Sequence, residues 1–147
     1  MEVENLKFDV SLSGTVWKKL PAFSIWLDEE LMISDQADSS TKTFTFEREL
    51  SKGEHVLKIR LDDKTYEDTL IENGRVVKDM LLNIDDITID DISLGNLLWT
   101  AEYKLDKPQQ YNNQTIDHLD SCVNLGWNGT YILNFTSPFY IWLLEKL

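Results

Sequence analysis

The chain has 147 residues and a formal net charge of −12, from 14 Lys and Arg against 26 Asp and Glu. That length holds one domain with a substantial core, and that charge opposes general binding to a nucleic-acid phosphate backbone or to anionic lipid. A single cysteine, Cys122, and two histidines, His55 and His118, allow no intrachain disulfide and no zinc constellation of ordinary spacing.

The acidic opening MEVENLKFDV lacks the apolar h-region of a signal peptide. No stretch approaches the length needed to span a bilayer as a helix. Leu6, Phe8, Val10 and Leu12 alternate with Lys7, Asp9 and Ser11, the period of a half-buried strand. Gly14 then permits a bend. Phe23, Ile25 and Leu27 predict a second strand, with Leu31 to Ile33 returning as its partner across the turn-like residues 28–30. Residues 34–41 read as a polar loop. Phe44 and Phe46 begin another alternating run, Gly53 marks a turn, and Leu57, Ile59 and Leu61 share one face of the next strand. Tyr66 to Ile71 reads as a strand closed by Asn73-Gly74, a strong turn pair.

Residues 79–94, DMLLNIDDITIDDISL, combine alternation with acidity. Leu82 and Ile84 alternate, the phase then breaks, and Ile87 and Ile89 resume it. Five aspartates (Asp79, Asp85, Asp86, Asp90 and Asp91) punctuate the run. One reading is a solvated acidic edge that discourages strand addition. The other is a hard-cation site, since calcium takes six to eight oxygen ligands. The Asp-x-Asp-x-Asp-Gly series of an EF-hand is absent.

The last third differs in texture. Residues 106–114, DKPQQYNNQ, read as an exposed amide-rich loop. Val123, Leu125 and Trp127 alternate up to Asn128-Gly129, and Tyr131, Leu133 and Phe135 alternate after it, which predicts a hairpin. A two-residue turn would leave both faces of that hairpin apolar, so something must cover the second face. The terminal run Phe139 to Leu147, after Ser137 as cap and Pro138 as first helical residue, is apolar nearly all round. As a short helix or a strand it must be buried, either in its own core or against another subunit. The expected fold is therefore all-β: an antiparallel, jelly-roll-like sandwich over residues 1–95. Residues 96–147 are expected to form a C-terminal extension of loop, hairpin and apolar tail, packed on the same domain.

Little in the chain suggests catalysis. No Gly-x-Ser-x-Gly, phosphate loop or dinucleotide fingerprint occurs, and abundant carboxylates do not by themselves make a hydrolytic pair. The expectation is a non-enzyme. Among the five tryptophans, Trp26 opposes the parity of Phe23, Ile25 and Leu27, which makes it the leading candidate for an exposed sugar-stacking ring. Trp17, beside Lys18 and Lys19 near a bend, is the second.

Two resemblances bear on function. DMLLNIDDITIDD, with Asp79, Leu82, Ile84, Asp85, Ile87 and Ile89 in register, resembles the closing segment of calcium-dependent xylan-binding modules. These are small sandwiches appended to plant-wall hydrolases, in which calcium held partly by aspartates of this segment bridges to sugar hydroxyls. The resemblance implies Asp79 and Asp85 as calcium ligands, although Asn83 stands where that family carries an aromatic. The second resemblance rests on VWKKLPAFSIWLDEE, ERELSKGEHVLKIRL and NLGWNGTYILNFTSPFYIWLLEKL, which are similar to small structural proteins of T4-like tailed phages, the cyanophage type in particular. It implies a virion decoration or adhesion module made in the host cytoplasm, with other virion proteins or a second copy docking on Phe139, Tyr140, Trp142 and Leu147. The leading expectation is this virion role. The alternative is calcium-dependent recognition of polysaccharide, with neither nucleic acid nor membrane as a partner.

Overall fold

A computed structural model describes residues 2–146, the side chain of Tyr111 excepted. The chain runs β1 (Val3–Thr15), β2 (Ala22–Leu27), β3 (Glu30–Gln36), β4 (Lys42–Ser51), β5 (Gly53–Asp62), a 3-10 turn at Tyr66–Asp68, β6 (Leu70–Glu72), β7 (Arg75–Lys78), β8 (Leu81–Ile89) and β9 (Ile92–Ser93). A second 3-10 segment at Gly95–Thr100 leads to β10 (Glu102–Tyr111), β11 (Gln114–Asp120), β12 (Asn124–Leu125), β13 (Gly129–Ser137) and the helix α1 (Phe139–Lys146). Among the described residues the strands form two antiparallel sheets. One has the order β12-β8-β1-β4 with β9 on β8, the other the order β11-β10-β13-β5-β2-β3, and β6 and β7 make a separate ribbon. The expected sandwich is the observed architecture.

Period-two burial builds the core. Leu6, Phe8, Val10 and Leu12 of β1 and Leu82, Ile84, Ile87 and Ile89 of β8 face Ile25, Leu57, Ile59, Leu61, Tyr131 and Leu133 of the other sheet, all of them buried. Phe8 meets Phe135 across the two layers at a ring separation of 6.0 Å, and Phe23 meets Phe44 edge-on at 4.9 Å. The broken phase of residues 82–89 is a β-bulge: Leu12 pairs with Ile84 and Ser11 with Asp86, so Asp85 is the extra residue. One inserted residue flips the parity, and the bulge lets both halves of β8 keep their apolar side inward.

Several expectations are corrected. Residues 34–36 continue β3, and Asp28 and Glu29, both at positive φ, form a two-residue turn between β2 and β3. Tyr66 to Ile71 is not one strand. The Asp68 carboxylate accepts from the Thr65 N–H at 2.8 Å and curls the chain into a 3-10 turn before β6 begins. Residues 106–114 are no loop but the arms and tip of the β10–β11 hairpin, turned at Asn112 and Asn113 with φ of 50° and 63°.

Asn128-Gly129 is not a hairpin turn either. Here β12 pairs with β8 in one sheet, whereas β13 pairs with β5 and β10 in the other. A Cβ on Gly129 would lie 2.4 Å from the Lys104 carbonyl oxygen, so the glycine serves close strand approach and not reversal. The apolar faces before and after it look inward from opposite layers, and no extra cover is required. Of the strands after residue 95, β12 joins one sheet and β10, β11 and β13 join the other.

The tail forms α1 on its own core. Phe139, Trp142 and Leu143 are buried, while Tyr140, Ile141 and Leu144 are exposed. Of the side chains expected at an intersubunit surface, Phe139 and Trp142 thus belong to the core, Tyr140 is half exposed, and Leu147 lies outside the described residues. Ser137 does not cap the helix. It ends β13, and its hydroxyl donates to Glu4 Oε1, which also accepts from the Phe139 N–H.

Candidate functional site

Where β5 leaves its sheet, the chain opens a groove of about 450 Å³. Its lining comes from Lys64, Thr65, Tyr66, Thr69 and Ile71 on one side. Asp106, Lys107 and Gln109 of β10 and Gly126, Trp127 and Asn128 of the β12–β13 connection supply the other. The volume falls in the range of ligand-binding clefts, in which apolar walls carry a few fixed polar groups. Tyr66 is 87% exposed and Trp127 is half buried.

The walls are pinned by hydrogen bonds between distant segments. The Lys64 N–H donates to Asn128 Oδ1 at 2.9 Å, and Asn128 Nδ2 returns a bond to the Lys64 carbonyl at 2.7 Å. The Asp106 N–H donates to the Asn128 carbonyl at 3.0 Å, and the Tyr103 hydroxyl donates to the Trp127 carbonyl. Burial pushes the Tyr103 phenol far above its ordinary value, so it remains a donor at any working pH. Arg60 Nη2 holds Asp106 Oδ2 at 2.9 Å and thereby orients a carboxylate at the rim. In the same 3-10 turn as Tyr66, burial alone would raise the Asp68 carboxyl. The Thr65 N–H and the Lys19 ammonium, 3.2 Å away, outweigh that and hold it below the usual carboxylate value.

Lys64, one of the lining residues, donates from Nζ to Asp79 Oδ1 at 2.7 Å and to the Gly126 carbonyl at 2.5 Å. The same Asp79 oxygen accepts from Thr69 Oγ1 at 2.7 Å and from the Met80 N–H at 2.8 Å. The other aspartates of the acidic run act separately. Asp85 accepts from Thr41, Asp86 from Ser93, Asp90 from the Lys7 N–H and Asp91 from the Lys7 ammonium. Asp79 precedes β8 and Asp85 is the bulge residue within it, and the two carboxylates engage different partners.

The two tryptophans singled out in the sequence lie elsewhere. Trp26 faces outward on the larger sheet, half buried, with Nε1 donating to Ser24 Oγ at 2.9 Å. It borders a shallow hollow with Lys58, Arg60 and Lys104, of which Lys58 is paired to Glu29 and Arg60 to Asp62 and Asp106. Trp17 sits in the β1–β2 connection under the Lys18 ammonium, 4.8 Å from the ring centre. A larger hollow of about 510 Å³ beside α1 is lined by His55, Phe135 and Trp142, but those rings are committed to the core and to hydrogen bonds. Trp127 is one of the five tryptophans that the sequence offers for sugar stacking, ranked behind Trp26 and Trp17, whereas Tyr66 reads there only as part of a strand. The available signal was an aromatic flanked by charges in DDKTYED, a poor candidate for burial.

No family model and no curated protein matches the sequence. Solved structures do match in shape. The carbohydrate-binding module vCBM60 in complex with galactobiose aligns with a TM-score of 0.53 at 12% identity, covering 87% of this chain and 98% of that one. The selenomethionine form of vCBM60 aligns with a TM-score of 0.59 at 11% identity, over 87% and 89% of the two chains. That form is described as showing that circular permutation provides an evolutionary link between two families of calcium-dependent carbohydrate-binding modules. This chain shares their sandwich fold. Its residues do not fit a calcium ion at Asp79. Three hydrogen-bond donors, one of them an ammonium, already converge on its Oδ1. No group of three or more His, Cys, Asp or Glu is placed to hold a metal among the described residues.

Proposed function

We propose that this protein is a non-catalytic carbohydrate-binding module whose ligand lies in the groove between Tyr66 and Trp127. The observation that carries this reading is an almost fully exposed tyrosine ring and a half-buried tryptophan on one groove, between side chains that donate and accept hydrogen bonds. A pyranose offers a flat C–H face and a rim of hydroxyls. Tyr66 and Trp127 suit the face, and Asp106, Gln109 and Thr69 suit the rim. The shared sandwich with vCBM60, a module solved with a disaccharide, supports the same reading.

The test is affinity electrophoresis against soluble β-glucans, xylans and galactans, with galactobiose as a competitor. Retardation on one polysaccharide class is expected, with Tyr66→Ala abolishing it while leaving the melting temperature unchanged. Undiminished binding by Tyr66→Ala would move the site elsewhere, and Trp26→Ala would then locate it. The virion-decoration reading draws no support from these likenesses, and two of the four residues offered for its assembly surface, Phe139 and Trp142, are in the core.

A further inference from the structure

We infer that the Lys64 ammonium is the resident cation of the groove and replaces a divalent metal, so that glycan binding proceeds without calcium. The inference rests on the carbohydrate-binding reading and concerns how that site handles charge. The structurally similar modules are described as calcium-dependent, and Asp79 is the residue that the sequence resemblance would make a calcium ligand. In this chain an ammonium stands on that carboxylate instead.

The environment of Lys64 is that of a built site. Its side chain is only 7% exposed, against 25% for Asp79. One carboxylate oxygen and one backbone carbonyl, Asp79 Oδ1 and Gly126 O, take two of its three hydrogens among the described residues. The third hydrogen has no protein acceptor among the described residues, and Lys64 lines the groove, so a hydroxyl of the bound glycan is the acceptor inferred for it. A calcium ion at the same point needs six to eight oxygens at 2.3–2.6 Å. Here the nearest carboxylate oxygen is saturated by Lys64, Thr69 and Met80, and a dication beside an ammonium would be repelled. The backbone of Lys64 is fixed on both sides by Asn128, so the ammonium is held in position before any ligand arrives. A covalently attached cation of this kind makes affinity independent of the calcium concentration outside.

The experiment uses the whole chain in three arms. First, chelator-treated protein is melted with EDTA and with 5 mM calcium chloride. No change in melting temperature is expected, and a calcium-dependent rise overturns the inference. Second, binding to the polysaccharide retained in electrophoresis is measured in both buffers. Equal affinity supports the inference. Binding only with calcium overturns it while leaving the carbohydrate reading intact, and no binding in either buffer removes both. Third, Lys64→Met is expected to lose roughly tenfold or more in affinity, the effect of one charge-assisted hydrogen bond, with no recovery on adding calcium. Unchanged affinity in Lys64→Met, or recovery by calcium, counts against the ammonium. Should that variant fail to fold, the first two arms decide the matter on the unaltered protein.

Discussion

Asn128 and Lys64, sixty-four residues apart, are joined by a reciprocal amide pair: Lys64 N–H to Asn128 Oδ1 at 2.9 Å, and Asn128 Nδ2 to the Lys64 carbonyl at 2.7 Å. A side-chain amide here does what a neighbouring strand does elsewhere, satisfying both backbone groups of one residue where the chain leaves a sheet. The pair joins the two walls of the groove.

Asn128→Ala is therefore expected to destabilise the protein by about 1–2 kcal/mol, because it leaves a half-buried N–H and C=O without their partners. For a chain of this size that is a fall of roughly 3–6 °C in melting temperature. Glycan affinity should fall as well, since Lys64 and the Trp127 wall lose their common anchor. Urea unfolding beside the exposed-site control Asn134→Ala, expected within about 0.5 kcal/mol of the unaltered protein, checks this.

A second prediction concerns the start of α1. Glu4 Oε1 accepts from both the Ser137 hydroxyl and the Phe139 N–H, each at 2.7 Å. A carboxylate at a helix N-terminus satisfies an orphan donor and faces the positive end of the helix dipole. Glu4→Ala should cost about 1 kcal/mol and loosen α1 before the rest of the sandwich. A red shift of the total tryptophan emission at temperatures below the main transition, absent from the unaltered protein, is the expected signature of Trp142 losing its cover.

The third concerns pH. His55 Nδ1 lies 2.5 Å from Asp28 Oδ2, and Nε2 lies 2.6 Å from the Ser51 carbonyl. Burial by itself lowers the affinity of the ring for a proton, but the Ser51 carbonyl and the Asp28 carboxylate outweigh it and raise the value above the ordinary 6.5. A raised folded-state value means stabilisation that is complete below pH ~6.5 and lost as pH rises through the folded-state value. The melting temperature of the unaltered protein, minus that of His55→Gln, should decline on going from mildly acidic to alkaline buffer. The exposed His118, raised beside Asp117, is present in both proteins and cancels in the difference. A flat difference would mean that His55 does not gain its proton on folding.

The alternating runs of β1, β2, β5 and β13 were legible one by one, because a strand with one wet face must repeat every two residues whatever it pairs with. So was the turn at Asn73-Gly74, where both residues adopt positive φ. The phase break between Ile84 and Ile87 was visible without its cause. A bulge exists only relative to a partner strand, and that partner, β1, lies some seventy residues upstream.

Pairing also decided the fate of Asn128-Gly129. The dipeptide is a strong local hairpin signal, but locally it is indistinguishable from a glycine needed for close approach to Lys104 and an asparagine needed by Lys64. The groove is of the same kind. Lys64, Asp79, Asp106 and Trp127 acquire a common role only when one strand of the larger sheet ends beside the connection between two others. Period and turn chemistry are properties of neighbouring residues and can be read along the chain. Which carboxylate meets an ammonium and which aromatic stays in water depends on contacts between residues tens of positions apart, and these exist only after the two sheets have packed.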